Sequence, residues 1–365
     1  MIIKEVTDIL EELAPLDYAE DFDNVGLLVG DPHTEVSGVL VTLDTLEVVV
    51  EEAIQKKCNL IVSFHPILFS GLKKLTGATY VERTVMKALR HHIAIYATHT
   101  ALDNAWDGVN AKILEVLGID DRQVLIPKKG VLRKLTTYVP QEDAGKLKEA
   151  LFNAGAGHIG KYSHCSFSVG GTGSFKAGEG TNPAKGEIGK VHYEPEAQLH
   201  LLYPADLEGH ILAALQKNHP YEEVAYEIQH LENTYQRLGM GMLGSLEQPM
   251  EEKAFLAFVK KRMEASVIRH SALRGKKIKK VAVLGGSGAF AIRHAIAAGA
   301  DALITSDIKY HQFFEAGEKL LLLDIGHFES EQFTKNLLLD HLTKKIPNFA
   351  ISLSESITNP IKYYY

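Results

Sequence analysis

Val39-Leu-Val-Thr-Leu-Asp-Thr-Leu-Glu-Val-Val-Val-Glu-Glu-Ala-Ile54 is the stretch whose reading decides the fold class. Val39 to Leu43 is a short apolar run rich in β-branched residues, which favours extended chain. Thr45 then reads as a helix cap, and Val48, Val49, Ala53 and Ile54 recur at helical spacing. The strand-then-helix unit repeats: Leu60 to Val62 precedes a helix near Val81 to His92, and Ile93 to Ala97 precedes one near Gly108 to Leu117. Upstream, Ile3, Val6, Ile9, Leu10 and Leu13 predict an amphipathic helix over residues 2–14, stopped by Pro15. Alternating strands and helices imply a largely parallel sheet covered by helices.

The 365 residues suffice for two to three domains. After about residue 125 the texture changes, with ten of the 30 glycines lying between Gly155 and Gly189. Strands are expected at Leu135 to Val139, Gln198 to Tyr203 and Val224 to Gln229, helices at Ala144 to Ala154 and Leu207 to Asn218, and a glycine-rich hairpin between. That βαββαβ-like order suggests a ferredoxin-like α+β insertion. From about residue 279 the first pattern returns, with strands at Val281 to Leu284, Ala302 to Thr305 and Leu320 to Asp324 and a long helix from His327. The expected fold is therefore α/β, with two similar halves, 1–125 and 241–365, forming one core and a cleft around an inserted domain, 126–240.

Composition narrows the function classes. Hydrophobic residues at 45% and charged residues at 23% are ordinary globular usage. A net charge of −7 gives no overall basic field, which argues against a nucleic-acid or anionic-membrane partner. Cys58 and Cys165 form neither a CxxC nor a disulfide framework, the N-terminus mixes acidic residues into its apolar pattern, and no apolar run is long enough to span a bilayer. A cytoplasmic protein is expected.

Candidate chemistry lies just after strands, where α/β folds place their ligands. His65 follows one strand, and Asp103 lies beyond another in His99-Thr-Ala-Leu-Asp103. His327 and Glu331, at i,i+4 spacing, share one helical face. Imidazole and carboxylate donors suit zinc first, with manganese or iron next, as one ion or as two sharing a carboxylate. Taken singly, each residue also fits a plain role: His65 as a core-edge residue, Asp103 as a cap, His327 and Glu331 as a surface pair. Gly285-Gly286-Ser287-Gly288 could cradle an anion on its amides or simply make a tight strand-to-helix turn. In Thr305-Ser-Asp-Ile-Lys-Tyr-His311, Lys309 and His311 are the candidates for phosphate contact and proton transfer, against a capped helix start. Ser174 and Lys176 lie in the glycine-rich segment, for which hairpin turns are the favoured reading.

Together, Asp21-Phe-Asp-Asn-Val-Gly-Leu-Leu-Val-Gly-Asp-Pro32, Ser63-Phe-His-Pro66, His99-Thr-Ala-Leu-Asp103, Thr305 to His311 and Gly326-His-Phe-Glu-Ser-Glu331 resemble the motifs of the Ngg-one-interacting-factor-three-like family, also called GTP cyclohydrolase 1 type 2 homologues. The resemblance spans nearly the whole chain. It implies an α/β core holding one or two divalent metal ions, with His65, Asp103, His327 and a bridging Glu331 as ligands, and ring-shaped hexamers. It likens the insertion to PII and CutA proteins, with His219-Pro-Tyr-Glu-Glu223 fitting that comparison. The chain departs from the family where Phe64-His65 replaces two consecutive histidines. Asp103 and Glu331 with water then complete a weaker site, His99 substitutes, or a single metal is bound. The site formed by His65, His327 and Glu331 is untouched by the change.

The implied function is metal-dependent hydrolysis of a nucleotide or related small molecule, in the named case GTP to dihydroneopterin triphosphate and formate. The alternative is a non-catalytic, ring-forming regulatory or scaffold protein whose insertion senses a small ligand.

Overall fold

The computed structural model describes residues 1–364, which form a mixed α/β structure of two compact units, one built from residues 1–127 and 237–364 and the other from 128–236. In chain order the larger unit begins with α1 (Ile3–Leu13), β1 (Gly26–Val29), β2 (Val39–Thr42), α2 (Glu47–Gln55), β3 (Leu60–Ser63), α3 (Tyr80–Arg90), β4 (Ala94–Ala97), α4 (His99–Asn104), α5 (Val109–Val116) and β5 (Gln123–Lys129). The smaller unit contains β6 (Leu132–Pro140), α6 (Ala144–Asn153), β7 (Ser166–Lys176), β8 (Val191–Pro204), α7 (Glu208–Asn218) and β9 (Tyr226–Leu231). The chain returns through β10 (Thr234–Met250), α8 (Glu252–Arg262), β11 (Arg269–His270), β12 (Ile278–Ser287) and α9 (Ile292–Ala297). It ends with β13 (Ala302–Ser306), α10 (Phe313–Ala316), β14 (Leu321–Asp324), α11 (His327–Glu331), α12 (Thr334–Lys345) and β15 (Ile351–Leu353).

The larger unit holds two sheets, in the orders β1-β4-β3-β2-β15 and β11-β14-β13-β12-β10-β5. Strands β15, β2, β3 and β4 run parallel, as do β12, β13 and β14. Side chains alternate across a strand, so each central strand feeds two cores. Leu40, Ile61 and Ile95 pack under α2 and α3, whereas Val41, Val62 and Tyr96 join a larger core with α1, α5 and α12. In the second sheet, Leu303 and Leu322 face α9 and α10, while Ile304 and Leu323 enter the same larger core. These strands are apolar on both faces, as parallel strands covered by helices must be.

Two sequence expectations need correction. The long helix from His327 is two helices, because α11 stops at Glu331 and α12 starts at Thr334. The halves also exchange strands: β15, near the C-terminus, pairs with β2, and β5 joins the sheet of the C-terminal segment.

The smaller unit is one antiparallel sheet in the order β7-β8-β6-β9. Leu135, Leu199, Leu201 and Tyr203 on one face pack with Leu147 and Leu151 of α6 and Ile211 and Leu215 of α7. The glycine-rich stretch forms the β7–β8 hairpin and its loop, which supports the turn reading.

Candidate metal centre

The parallel strands deliver the site residues at their carboxyl ends. Asp44 follows β2, His65 follows β3, Asp307 follows β13, and Gly326 leads from β14 into α11, which starts at His327. Ser63 Oγ donates to the His65 carbonyl at 2.8 Å and the His65 N–H donates to Leu43 O at 2.9 Å, fixing the turn that aims the imidazole. Asp307 adopts φ +57°, a left-handed conformation that aspartate tolerates better than most residues.

Each histidine is oriented by a carboxylate. His65 Nδ1 lies 2.8 Å from Asp44 Oδ1, and His327 Nδ1 lies 2.6 Å from Asp307 Oδ2. Carboxylates only accept, so both Nδ1 atoms donate and both Nε2 atoms face the opposite way. Asp44 is held in turn by the Thr358 hydroxyl at 2.6 Å, and Asp307 accepts from Ser287.

The two Nε2 atoms are 3.4 Å apart, and each is 3.1 Å from Glu331 Oε2. Glu331 is 3% exposed, yet Oε2 accepts a well-directed hydrogen bond from neither ring. Metal–nitrogen bonds of about 2.0–2.1 Å at tetrahedral angles set donors roughly 3.3 Å apart, which is this triangle. His65, His327 and Glu331 thus form a possible metal site, the one cluster of three such donors found among the described residues. Without a cation the cluster recruits protons. Burial works against charging His65, but the hydrogen bond to Asp44 and the negative charge of Glu331 close by prevail and raise it to about 10. Burial opposes His327 likewise, and Glu331 with Asp307 raises it to about 9. Burial would raise Glu331, but its approach to both imidazoles holds it ionised, at about 2.

A cavity of about 340 Å³ adjoins the triad and is lined by Asp103, His99, Thr100, His327, Glu331 and, among others, three phenylalanines. Asp103, on α4, stands outside the triad cluster, with its Oδ1 buried and without a partner. Burial and the charge of Glu331 push its carboxyl well above the usual range. His99 Nδ1 is held by Asp23 Oδ1 at 2.7 Å, and its ring centroid is 5.5 Å from that of His65. Phe64 is fully buried and packs against both His65 and His99. Lys309 and His311 are exposed on the segment after Asp307 and are not among the residues lining this cavity.

Of the two readings left open for residues 285–288, anion cradle and tight turn, the hydrogen bonds favour the turn. The Gly285 N–H donates to Asn110 Oδ1 at 3.0 Å and the Gly286 N–H to Ser330 Oγ at 2.9 Å, so the tight-turn reading stands. Sequence reasoning missed the orienting carboxylates Asp23, Asp44 and Asp307. The signals available were position, since Asp44 and Asp307 each follow a strand run, and, for Asp23 and Asp307, a place inside the quoted motifs Asp21 to Pro32 and Thr305 to His311.

The whole-chain comparisons agree with one another. The model of the family Duf34/NIF3 (NGG1p interacting factor 3) matches residues 1–360. A Bacillus subtilis protein named GTP cyclohydrolase 1 type 2 homolog is 37% identical, over 99% of this chain and 98% of the relative. Proteins of that name from Staphylococcus aureus are 31% identical over the full length of both chains. Among solved structures, a Bacillus cereus protein related to NIF3 superposes with a TM-score of 0.88 at 35% identity, covering 100% of this chain and 99% of that one. The chain belongs to the Duf34/NIF3 family.

Proposed function

We propose that this protein is a metal-dependent hydrolase acting on a nucleotide or related small molecule. The observation that carries the reading is the convergence of His65 Nε2, His327 Nε2 and Glu331 Oε2, at 3.1–3.4 Å from one another, on a point where all three lack a partner better than one another. When bound, a divalent cation supplies Lewis acidity and makes water acidic enough to act as a nucleophile at neutral pH. His65, His327 and Glu331 hold it, and Asp44 and Asp307 fix the tautomers. Asp103, with its buried unpartnered oxygen, contributes a further donor, for the same cation or a second one, and zinc best suits this donor set.

Phe22, Phe69 and Phe290 line the same cavity while 66%, 50% and 52% exposed. Exposed aromatic faces beside polar donors favour a substrate with a planar ring, as a nucleobase has. The name borne by the relatives makes GTP the first substrate to try, and Lys309 and His311 are assigned to phosphate contact and proton transfer. The smaller unit is assigned as the PII/CutA-like ferredoxin-type insertion, on its βαββαβ order and helices on one sheet face. We further assign a hexameric ring, on the family resemblance. A cytoplasmic location accords with the two unpaired cysteines and with the absence, among the described residues, of a helix long and apolar enough to cross a membrane.

Elemental analysis of protein purified without chelator, paired with a formate assay on GTP, tests the reading. At least one divalent ion per chain is expected, with formate release that His327→Ala abolishes. A chain that takes up no stoichiometric metal would end it, and metal uptake with no turnover of GTP or other nucleotides would favour the regulatory alternative.

A further inference from the structure

The smaller unit carries a cavity of its own, about 480 Å³, on the sheet face opposite α6 and α7. Its polar centre is Glu196, on β8. Glu196 is only 9% exposed, and its one side-chain partner is the Tyr221 hydroxyl, which donates to Oε1 at 2.7 Å. Among the described residues, no lysine, arginine or histidine lies within ion-pair distance of it, although burying a carboxylate beside a single neutral donor is costly.

The neighbouring strand is built around this carboxylate. A Cβ at Gly173, on β7, would overlap the Glu196 carboxylate, so glycine there leaves the space the carboxylate occupies. Around it, Phe175 and Tyr221 set their ring centroids 5.9 Å apart, with Tyr138, Pro183 and Ala184 completing apolar walls. The loop between β7 and β8 is tied in place, because the Glu222 carboxylate accepts the Asn182 N–H at 3.0 Å and Lys185 pairs with Glu142 at 2.7 Å.

We propose that this cavity binds a small organic cation, an amine or guanidine with an apolar body. Glu196 pairs with the cationic head, and the aromatic faces of Phe175 and Tyr221 add cation–π attraction. A bare metal ion fits poorly, since Glu196, Glu222 and Glu223 do not converge as the triad of the larger unit does. An anion fits worse, with three carboxylates against the single ammonium of Lys176 lining the space.

The test is saturation-transfer NMR on the full-length protein with phenethylammonium and agmatine, and with neutral 2-phenylethanol as the uncharged match to the first. At least one amine is expected to bind saturably, with the alcohol tenfold or more weaker. Glu196→Gln should cost tenfold or more in amine affinity, and Phe175→Ala should weaken it several-fold. Unchanged metal content and melting temperature in these variants verify the fold. The proposal is overturned if neither amine saturates, if amine and alcohol bind equally, or if Glu196→Gln leaves affinity unchanged. It is also overturned if the variant alters the sedimenting species while neither amine binds, since the face then belongs to a second copy of the chain. Glu196 and the metal triad lie in different units, so failure here leaves the hydrolase reading standing.

Discussion

Two imidazoles whose Nε2 atoms sit 3.4 Å apart beside an ionised carboxylate need positive charge between them, as protons or as a metal. His65 at about 10 and His327 at about 9 both lie above the ordinary 6.5, so at pH 7.5 the metal-free protein holds a second proton, on Nε2, on each ring. Metal needs the free Nε2 lone pair, so its uptake expels those protons. Calorimetry at pH 7.5 in buffers of different ionisation enthalpy should therefore count close to two protons released per cation, and apparent affinity should climb until about pH 9–10. A count near zero would contradict the triad. The same linkage sets metal-free stability: the contribution is complete below about pH 6.5 and is lost as pH rises through about 9 and 10. Replacing an orienting carboxylate acts differently. Asp44→Asn or Asp307→Asn keeps every metal-binding atom but loses the charge that fixes each ring, and should cost about 10–100-fold in metal affinity. Competition against a chromogenic chelator measures it, with His65→Ala as the reference for outright loss.

At the scale of elements, the end of β12 must pass close to α11. Gly286 has φ +69°, and a Cβ there would overlap Glu331 Oε1. Gly275 shares that φ of +69° but has open space around its Cβ position. Gly286→Ala and Gly275→Ala thus pay the same backbone cost of about 1–2 kcal/mol, and only the first displaces the ligand. Urea denaturation should show both variants destabilised, and elemental analysis should show metal lost from Gly286→Ala alone. Equal metal content in the two would place Glu331 outside the site. Local pattern made much of this legible. Strand–helix alternation located β2, β3, β13 and β14, and the i,i+4 spacing of His327 and Glu331 put two of the triad on one face. What escaped was long-range pairing: Asp23 meets His99 across 76 residues, and β15 joins β2 from the far end of the chain. No local periodicity encodes such partners. The residues at 285–288 stayed ambiguous in the sequence for the same reason, since a glycine run shows that amides are open to approach but not that Asn110 and Ser330 already take them.

For the whole molecule, the hydrophobic cores divide as the chain does. The largest core draws on residues from both Ile3–Ile119 and Met242–Leu342, whereas Leu135 through Leu215 form a core wholly inside the smaller unit. Strands β5 and β10, which carry the chain out of and back into the larger unit, are neighbours in one sheet. Excising residues 130–233 and joining the cut ends with a short Asn-Gly turn therefore removes one complete core and opens none in the other. The triad, Asp44, Asp307 and Asp103 all remain. The shortened chain should fold, take up the same number of cations per chain as the parent, and lose all amine binding. Scanning calorimetry with and without zinc checks folding and binding, because a ligand that binds only the folded state raises the melting temperature, and elemental analysis counts the cations. A shortened chain that folds but binds no metal, while the parent does, would mean that residues 130–233 supply part of the site, and the assignment of the metal centre to the larger unit alone would fail.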